Sequence, residues 1–283
     1  MALAAAHTEF TYILHPTDFA EASAPAFRHA LRLAVAARAH FYMLHIAPAT
    51  AGEIGDWSAF PGVRSTLAEW GMLPADATPA AVYQQLGVRV TKAELPHREP
   101  VDGILRYLGD NPSDFLVLAP DLRTSGGPRH KHSVSFPLAR RTGLPCLFVP
   151  AGMAGFVEAR TGAATLRHLL FAAEAGVDGR RAGIMARRLV DGLGCSEARL
   201  HLIHPEGSEA PAVADAWPEA QVAHLEVADL SPGTIGAKAT ELGVDLVVLA
   251  SREHNGVFDQ FRGDGTEELL RAVKRPLLTV PTA

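Results

Sequence analysis

The sequence predicts an α/β protein made of two tandem, doubly wound domains, each with a five-stranded parallel sheet. The chain has 283 residues, which at ordinary domain sizes corresponds to two domains or one large one. Its apolar fraction of 48% and charged fraction of 20% are typical of a globular protein that buries a core. The remaining evidence is an internal repeat and an alternation of short apolar runs with helical patterns.

The repeat is clearest near the end of each half. The segment DFLVLAP at 114–120 matches DLVVLAS at 245–251, and PCLFVP at 145–150 matches PLLTVP at 276–281. Both matches are displaced by 131 positions, so the loop and helix between them have equal lengths in the two halves. A repeat of this kind indicates that one structural unit occurs twice.

Earlier matches are displaced further. The segment YILHP at 12–16 pairs with HLLFA at 168–172, and the next strand of each half repeats at a similar displacement, near 156 to 159 positions. The first half therefore contains an insertion of about 28 residues, within 49–90, where we expect a loop and one helix near 63–72. The predicted organisation is a first domain at 1–150, a linker at 151–165 and a second domain at 166–283.

The sequence of each half predicts five strands separated by four helices. Short, continuous apolar runs are typical of parallel strands that are covered on both faces. Asp18 with Glu21 fits a capping box that opens a helix at 22–39, and Ser231 before Pro232 fits the start of a later helix. Strands that alternate with helices imply right-handed crossovers and a doubly wound sheet.

Charge and cysteine content exclude several classes of protein. A formal net charge of −5 is too small to favour a nucleic-acid or membrane-surface partner. The two cysteines, Cys146 and Cys195, fall in different halves, which favours a reducing compartment over a disulfide framework. No apolar run reaches the length of a membrane span, and the first residues lack the basic start of a signal peptide. We therefore expect a cytoplasmic protein.

Several motifs lie at or after the ends of predicted strands, namely HPTDF at 15–19, LH at 44–45, the loop after Leu118, and VP at 149–150. Together these motifs resemble the universal stress protein family. The resemblance covers both halves except the insertion and the linker. It implies a Rossmann-like fold of the adenine nucleotide alpha hydrolase type. It also implies that the apolar fifth strands, 146–149 and 277–280, pair antiparallel in one chain as an intrachain pseudo-dimer, because an edge strand needs a partner. A further homodimer stays open.

Nucleotide-binding members of the family carry a Gly-x2-Gly-x9-Gly-Ser/Thr loop. Its glycines let backbone N–H groups approach phosphates, and its hydroxyl residue opens a helix whose N-terminus favours an anion. The corresponding residues are Ala119, Leu122, His132 and Ser133 in the first half and Ala250, Glu253, Gly263 and Asp264 in the second. The motif has three glycine positions in each half, and of these six only Gly263 is still a glycine. Asp264, with Glu267 three positions later, also fits a capping box that fills the anion niche of its own helix.

The resemblance nevertheless implies a weak candidate site for ATP or AMP in the first half. Its residues are Pro16, Thr17, Asp18, Ile46, Ala119, Arg123, Arg129, Lys131, His132 and Ser133. The loop 119–133 has a formal charge of +2 with histidine neutral, whereas the matching loop 250–264 has −1. A phosphate-bearing ligand is therefore expected in the first half, where charge-assisted hydrogen bonds are available.

Each of these residues also has a simpler interpretation. Asp18 either contacts an adenine or ribose edge or caps a helix, and the basic cluster at 129–132 either binds phosphate or is solvated. His201 and His204 have a spacing found in metal sites, but on a strand they point to opposite faces. The sequence offers no nucleophile, acid/base pair or metal centre that predicts catalysis.

Three functions remain. The first is a non-enzymatic stress-response module that binds or signals without an obligatory cofactor. The second is a weak ATP- or AMP-binding protein, ATPase or adenylyl-transfer relative, because one fold hosts many functions. The third is an interaction protein with no ligand. The replaced glycines favour the first, whose partners would be a small adenine nucleotide or another small ligand, not nucleic acid or a membrane.

Overall fold

The computed structural model of the protein describes residues 10–48, 57, 60–120, 122, 134–153, 155–173, 177–213, 216–252 and 265–282. The elements of the first half are β1 (Tyr12–Pro16), α1 (Ala24–Ala37), β2 (His40–Ala47), α2 (Val63–Glu69), α3 (Pro79–Leu86), β3 (Arg89–Pro96), α4 (Pro100–Asp110), β4 (Phe115–Leu118), α5 (Ser135–Thr142) and β5 (Cys146–Phe148). Those of the second half are β6 (His168–Ala173), α6 (Arg180–Gly192), β7 (Arg199–Pro205), β8 (Val222–Val227), α7 (Pro232–Glu241), β9 (Leu246–Arg252), α8 (Gly265–Val273) and β10 (Leu277–Thr282).

The ten strands form one sheet in the order β3-β2-β1-β4-β5-β10-β9-β6-β7-β8. Every pairing inside a half is parallel, and the second half mirrors the strand order of the first. The halves join where β5 and β10 run antiparallel, with Phe148 opposite Leu277 and Cys146 opposite Thr279. The predicted α/β fold and the predicted antiparallel pairing of the fifth strands are therefore confirmed.

Helices cover both faces of the sheet, as right-handed crossovers require. One core contains α1, α2, α3, α6 and the segment that joins the halves, and the other contains α4, α5, α7 and α8. Neighbouring strand residues alternate between the cores, so Ile13 and Phe41 belong to the first and Leu14 and Tyr42 to the second. None of the described helices combines the length and apolar character that a membrane-spanning segment requires.

The predicted helix near 63–72 is confirmed as α2, but two other features of the helix prediction were wrong. The insertion contains α3 as well as α2, and α3 begins at Pro79 after the extended residue Thr78. In the second half, no α-helix occurs between β7 and β8 among the described residues, where only a 3-10 turn at Glu219–Gln221 is found. Prolines at 211 and 218 explain this difference, because each removes a backbone donor and clashes with a continuing helix.

The linker packs against α1 and the insertion. Val157 and Ala164 form an antiparallel bridge that turns the chain back on itself. His29 of α1 holds the bridge, because its Nε2 accepts hydrogen bonds from the backbone N–H groups of Phe156 and Val157, at 3.1 and 3.3 Å. On the other side of the turn, the indole Nε1 of Trp70 donates to the carbonyl of Ala159 at 3.0 Å. The segment that connects the halves is thus fixed to α1 and to the insertion.

In both halves, an aspartate accepts hydrogen bonds from two backbone N–H groups at the start of the first strand, and we call this contact a clamp. Carboxylate oxygens of Asp114, before β4, accept from the N–H groups of Thr11 and Tyr12 at 2.9 and 3.1 Å. Asp245, before β9, accepts from Arg167 and His168 at 2.7 and 3.1 Å. Each aspartate therefore closes the amino end of the central strand pair, which accounts for its presence in both copies of the repeat.

Asp114→Ala and Asp245→Ala should lower the free energy of unfolding by similar amounts, about 0.5–1.5 kcal/mol each, because each removes two hydrogen bonds to backbone N–H groups that water can partly replace. Denaturant titration would measure both losses. Asp110→Ala, at an exposed position one turn away, is the control and should cost less than about 0.5 kcal/mol. A loss at only one of the two clamps would contradict their structural equivalence.

Candidate functional site

The candidate site lies where the strand order reverses. In an open α/β sheet, ligands bind in the crevice beyond the carboxyl ends of the two strands at this switch point. In the first half these strands are β1 and β4, with Ile13 paired to Phe115 and Leu14 to Leu116. Continuing that register brings the residues after β1 beside Ala119, which follows β4. We call Pro16, Thr17, Asp18 and Ala119 the switch-point site.

The polar groups of Thr17 are almost all used in hydrogen bonds within the protein. Its N–H donates to the carbonyl of Leu44 at 2.8 Å, and its carbonyl accepts from Nδ1 of His45 at 2.8 Å. Its Oγ1 accepts the N–H of Phe19 at 3.1 Å and lies 3.4 Å from the hydroxyl of Ser23. Thr17 is buried and connects the end of β1 to β2, so few of its polar groups remain for a ligand.

Asp18 turns the chain and does not cap a helix. Its Oδ1 accepts the N–H of Ala20 at 3.0 Å, and a 3-10 turn at Glu21–Ser23 separates it from α1, which starts at Ala24. The predicted capping box with Glu21 is therefore wrong. The reason is Phe19, whose φ of 62° is left-handed and redirects the backbone before a helix can begin. The Asp18 carboxylate remains exposed at the site.

Aromatic side chains cover the space next to Asp18. The ring of Phe19 lies 4.2 Å from the ring of His45 and 4.7 Å, edge to face, from the indole of Trp57. The ring of Phe60 also lies edge to face with that of Phe19, at 6.1 Å. Because Trp57 and Phe60 both come from the insertion, the insertion closes over this end of the first sheet. The sequence analysis did not predict this contact, although the aromatic residues in the insertion could have indicated it.

His15 lies beneath this cluster and is uncharged at neutral pH. It is fully buried between Phe27 and Phe60, and its Nδ1 donates to the carbonyl of Val117 at 2.9 Å. Burial lowers the pKa of His15 to about 4. Its Nε2 is buried without a hydrogen-bond partner in the described part of the chain. His15 therefore supplies a structural contact and no charge to the switch-point site.

The loop after β4 is held by the second half. The carbonyl of Leu122 accepts a hydrogen bond from Nη1 of Arg271 in α8 at 2.7 Å, and the Leu122 side chain packs on the second core. Arg271 also pairs with Glu267 one turn earlier in α8. Ile46, another predicted site residue, is half-buried and packs on the same core. The structure thus brings Pro16, Thr17, Asp18 and Ala119 together and directs Ile46 and Leu122 towards apolar packing.

Most of the residues predicted for the two phosphate loops lie outside the described residues. They are Arg123, Arg129, Lys131, His132 and Ser133 in the first half, and Glu253, Gly263 and Asp264 in the second. The predictions made for them stay predictions.

Histidines cluster on β6 and β7 of the second half. Nδ1 of His168 lies 3.1 Å from Nε2 of His201, so one of these nitrogens donates to the other. Burial, followed by the nearby His168, lowers the pKa of His201. His204 is buried, and its Nδ1 donates to the carbonyl of Pro205 at 3.3 Å. Within the described ranges, no three or more His, Cys, Asp or Glu residues are grouped as a metal site would require.

Solved structures of low sequence identity share this fold along nearly the whole chain. A universal stress protein from Archaeoglobus fulgidus aligns with a TM-score of 0.63 at 17% identity, covering 97% of this chain and 98% of its own. A protein of unknown function from Pseudomonas aeruginosa aligns with a TM-score of 0.59 at 16% identity, covering 96% and 92%. The cytoplasmic domain of a prokaryotic cation chloride cotransporter aligns with a TM-score of 0.50 at 12% identity, covering 95% of each chain.

These alignments establish the fold alone, since such different proteins share it. No curated protein matches the chain significantly. The model of the universal stress protein family, however, matches residues 9–150, just over half of the chain. This range spans β1 to β5 and includes the switch-point site. The chain therefore belongs to the universal stress protein family.

Proposed function

We propose that the chain carries two universal stress protein domains in tandem, paired as an intrachain pseudo-dimer, and acts as a non-enzymatic stress-response module that binds or signals. The tandem interpretation is supported by the repeated strand order, the repeated Asp114 and Asp245 clamps, and the antiparallel pairing of β5 with β10. The second half thereby covers the edge strand that the first half would otherwise expose.

The observation that carries the non-enzymatic proposal is the use of the switch-point polar groups by the protein itself. Thr17 is committed to hydrogen bonds with β2 and with its own turn, and His15 is buried and neutral. Acid/base catalysis needs a positioned group that titrates near the working pH. The described part of the site offers one exposed carboxylate, Asp18, whose Oδ1 already accepts a backbone hydrogen bond.

The second candidate is weak binding of ATP or AMP in the first half. It is favoured by the exposed carboxylate of Asp18 and by the +2 charge of the loop 119–133, to which Arg129 and Lys131 contribute. The replaced glycines oppose it, because their side chains occupy positions where backbone N–H groups would face phosphate. The expected dissociation constant is therefore on the order of micromolar to millimolar.

The purified full-length protein should release phosphate from ATP no faster than its Asp18→Ala variant. Calorimetric titration of the same samples with ATP and AMP would separate binding from turnover. Arg129→Ala together with Lys131→Ala should weaken any binding by about tenfold or more, whereas Arg262→Ala in the second loop should leave it unchanged. Turnover clearly above that of Asp18→Ala would refute the non-enzymatic proposal. Binding lost only in Arg262→Ala would place the ligand in the other half.

A further inference from the structure

The insertion forms a groove at the edge of the sheet, and its lining residues include none of the switch-point site. Helices α2 and α3 pack against the edge strand β3 and leave a cavity of about 770 Å³ between them. Its walls include the buried valines Val63, Val82 and Val88. We call this cavity the insertion groove. Its volume falls in the range of about 300–1,000 Å³ that is typical of small-molecule sites.

Three cations line the insertion groove. Arg64 comes from α2, and Arg89 and Lys92 come from β3. Burial, followed by the nearby charge of Arg64, lowers the pKa of Lys92, so these two cations are close enough to repel each other. Across the described part of the chain, no ion pair joins any of the three to a carboxylate. Like charges held together without a counter-charge are unfavourable unless an anion completes them.

Neighbouring groups hold the three cations in place. Nη1 of Arg64 donates to the carbonyl of Ala77 at 2.9 Å. The guanidinium of Arg89 lies 5.2 Å from the ring centre of Tyr83, and Nζ of Lys92 lies 5.1 Å from that of Trp57. Cation–π contacts at these distances orient a charge while leaving its hydrogen-bond donors available to a ligand.

We propose that the insertion groove binds a small organic phosphate, a phosphomonoester attached to an apolar or aromatic body. The phosphate would lie among Arg64, Arg89 and Lys92, and the body would lie against the valine wall and the Tyr83 ring. Tyr83 is one of the two exposed large apolar side chains among the described residues, with 52% of its surface accessible. An exposed ring beside an apolar cavity offers a surface on which a flat ligand can stack.

Charge favours a phosphate over a carboxylate. A phosphomonoester carries a charge of about −1.5 to −2 at neutral pH and presents three acceptor oxygens, which match three cationic donors better than one carboxylate does. This site is separate from the switch-point site, and the inference does not depend on the proposed function.

Phenyl phosphate is a suitable probe, titrated calorimetrically into the full-length protein beside inorganic phosphate, benzoate and phenol. Phenyl phosphate should bind about tenfold or more tightly than each of the other three, and more weakly as salt is added. Lys92→Met and Arg89→Gln should each weaken it about tenfold or more, since each removes one charge and keeps most of the side-chain stem. Thermal unfolding would verify that both variants fold.

Two variants act as controls for location. Arg106→Gln removes an exposed cation from α4, on the opposite face of the sheet, and Asp18→Ala alters the switch-point site. Both should bind phenyl phosphate like the unmodified chain. The proposal is overturned if phenyl phosphate does not bind at millimolar concentration, if benzoate binds as tightly, if folded Lys92→Met and Arg89→Gln bind normally, or if Asp18→Ala abolishes binding.

Discussion

Acidification from pH 7.5 to 4.5 is expected to destabilise the protein by roughly 5 kcal/mol through two buried histidines, His15 and His29. Burial lowers the pKa of each to about 4, whereas an unfolded chain has a histidine pKa of about 6.5. Between these values the unfolded state binds more protons than the folded state. Stability is therefore complete above about pH 6.5 and is lost progressively as the pH falls towards 4.

Burial is the main reason that each imidazole resists protonation, and it outweighs the hydrogen bond from each Nδ1 to a backbone carbonyl, which favours the charged form. Nδ1 of His29 donates to the carbonyl of Pro25 at 2.7 Å, while Nε2 accepts from two backbone N–H groups of the linker. A proton on that Nε2 would face two donors at once. In His15, Nδ1 donates to Val117, and a proton on the unpartnered Nε2 would place a charge among aromatic rings.

The test compares how stability depends on pH in three variants. In His29→Gln and in His15→Gln, the free energy lost between pH 7.5 and 4.5 should shrink by roughly 2–3 kcal/mol, because one titrating group is gone. His224→Gln removes an exposed histidine and is the control. Urea unfolding of the unmodified chain and of the three variants, at both pH values, gives the change in unfolding free energy for each. A pH dependence that the His29 and His15 variants leave unchanged would show that folding does not lower the pKa of either imidazole.

The sequence predicts some helix starts correctly and others wrongly, for identifiable reasons. Ser231 before Pro232 caps α7, and its hydroxyl accepts the N–H of Thr234 as expected. Asp18 with Glu21 shows an equally good local pattern, yet the left-handed Phe19 intervenes. That conformation is set by the packing of the Phe19 ring on His45 and Trp57, which are distant in sequence. Local capping patterns cannot contain this information.

Most of the sheet, in contrast, follows from the repeat. Matching apolar runs gave β1, β2, β4, β5 and their counterparts, because buried parallel strands have a simple sequence pattern. The sequence predicted the four residues of the switch-point site, Pro16, Thr17, Asp18 and Ala119, because they lie at or just after the ends of strands. The aromatic cover of that site comes from the insertion, which has no counterpart in the other half. The repeat therefore could not predict it, and neither could it predict the insertion groove.

A substitution of Gly183 by alanine should be the most damaging small change in the second half. Gly183 lies in α6, where the backbone of the β7–β8 connection crosses the helix. A Cβ at this position would lie 2.2 Å from the carbonyl oxygen of Val213, which is backbone and cannot rotate away. The indole Nε1 of Trp217 also donates to the carbonyl of Gly183 at 2.9 Å, so the connection is held closely against the helix.

The expected loss in the free energy of unfolding is about 2 kcal/mol or more, even though alanine gains about 1 kcal/mol of helix propensity over glycine. Gly109→Ala in α4 is the matched control, because a Cβ there meets no atom within 4 Å. It should stabilise the protein by up to about 1 kcal/mol. Denaturant titration measures both changes, and the emission of Trp217 should shift in the Gly183 variant as the connection moves.

This comparison tests how the second half manages without the helix that its repeat predicts. In the first half, α2 and α3 cover the sheet face beside α1, while in the second half the β7–β8 connection covers the face beside α6. That cover depends on direct backbone contact, which a glycine allows and a side chain prevents. If Gly183→Ala proved as stable as Gly109→Ala, with unchanged Trp217 emission, the connection would not be seated on α6. Another part of the chain would then have to shield this face of the core.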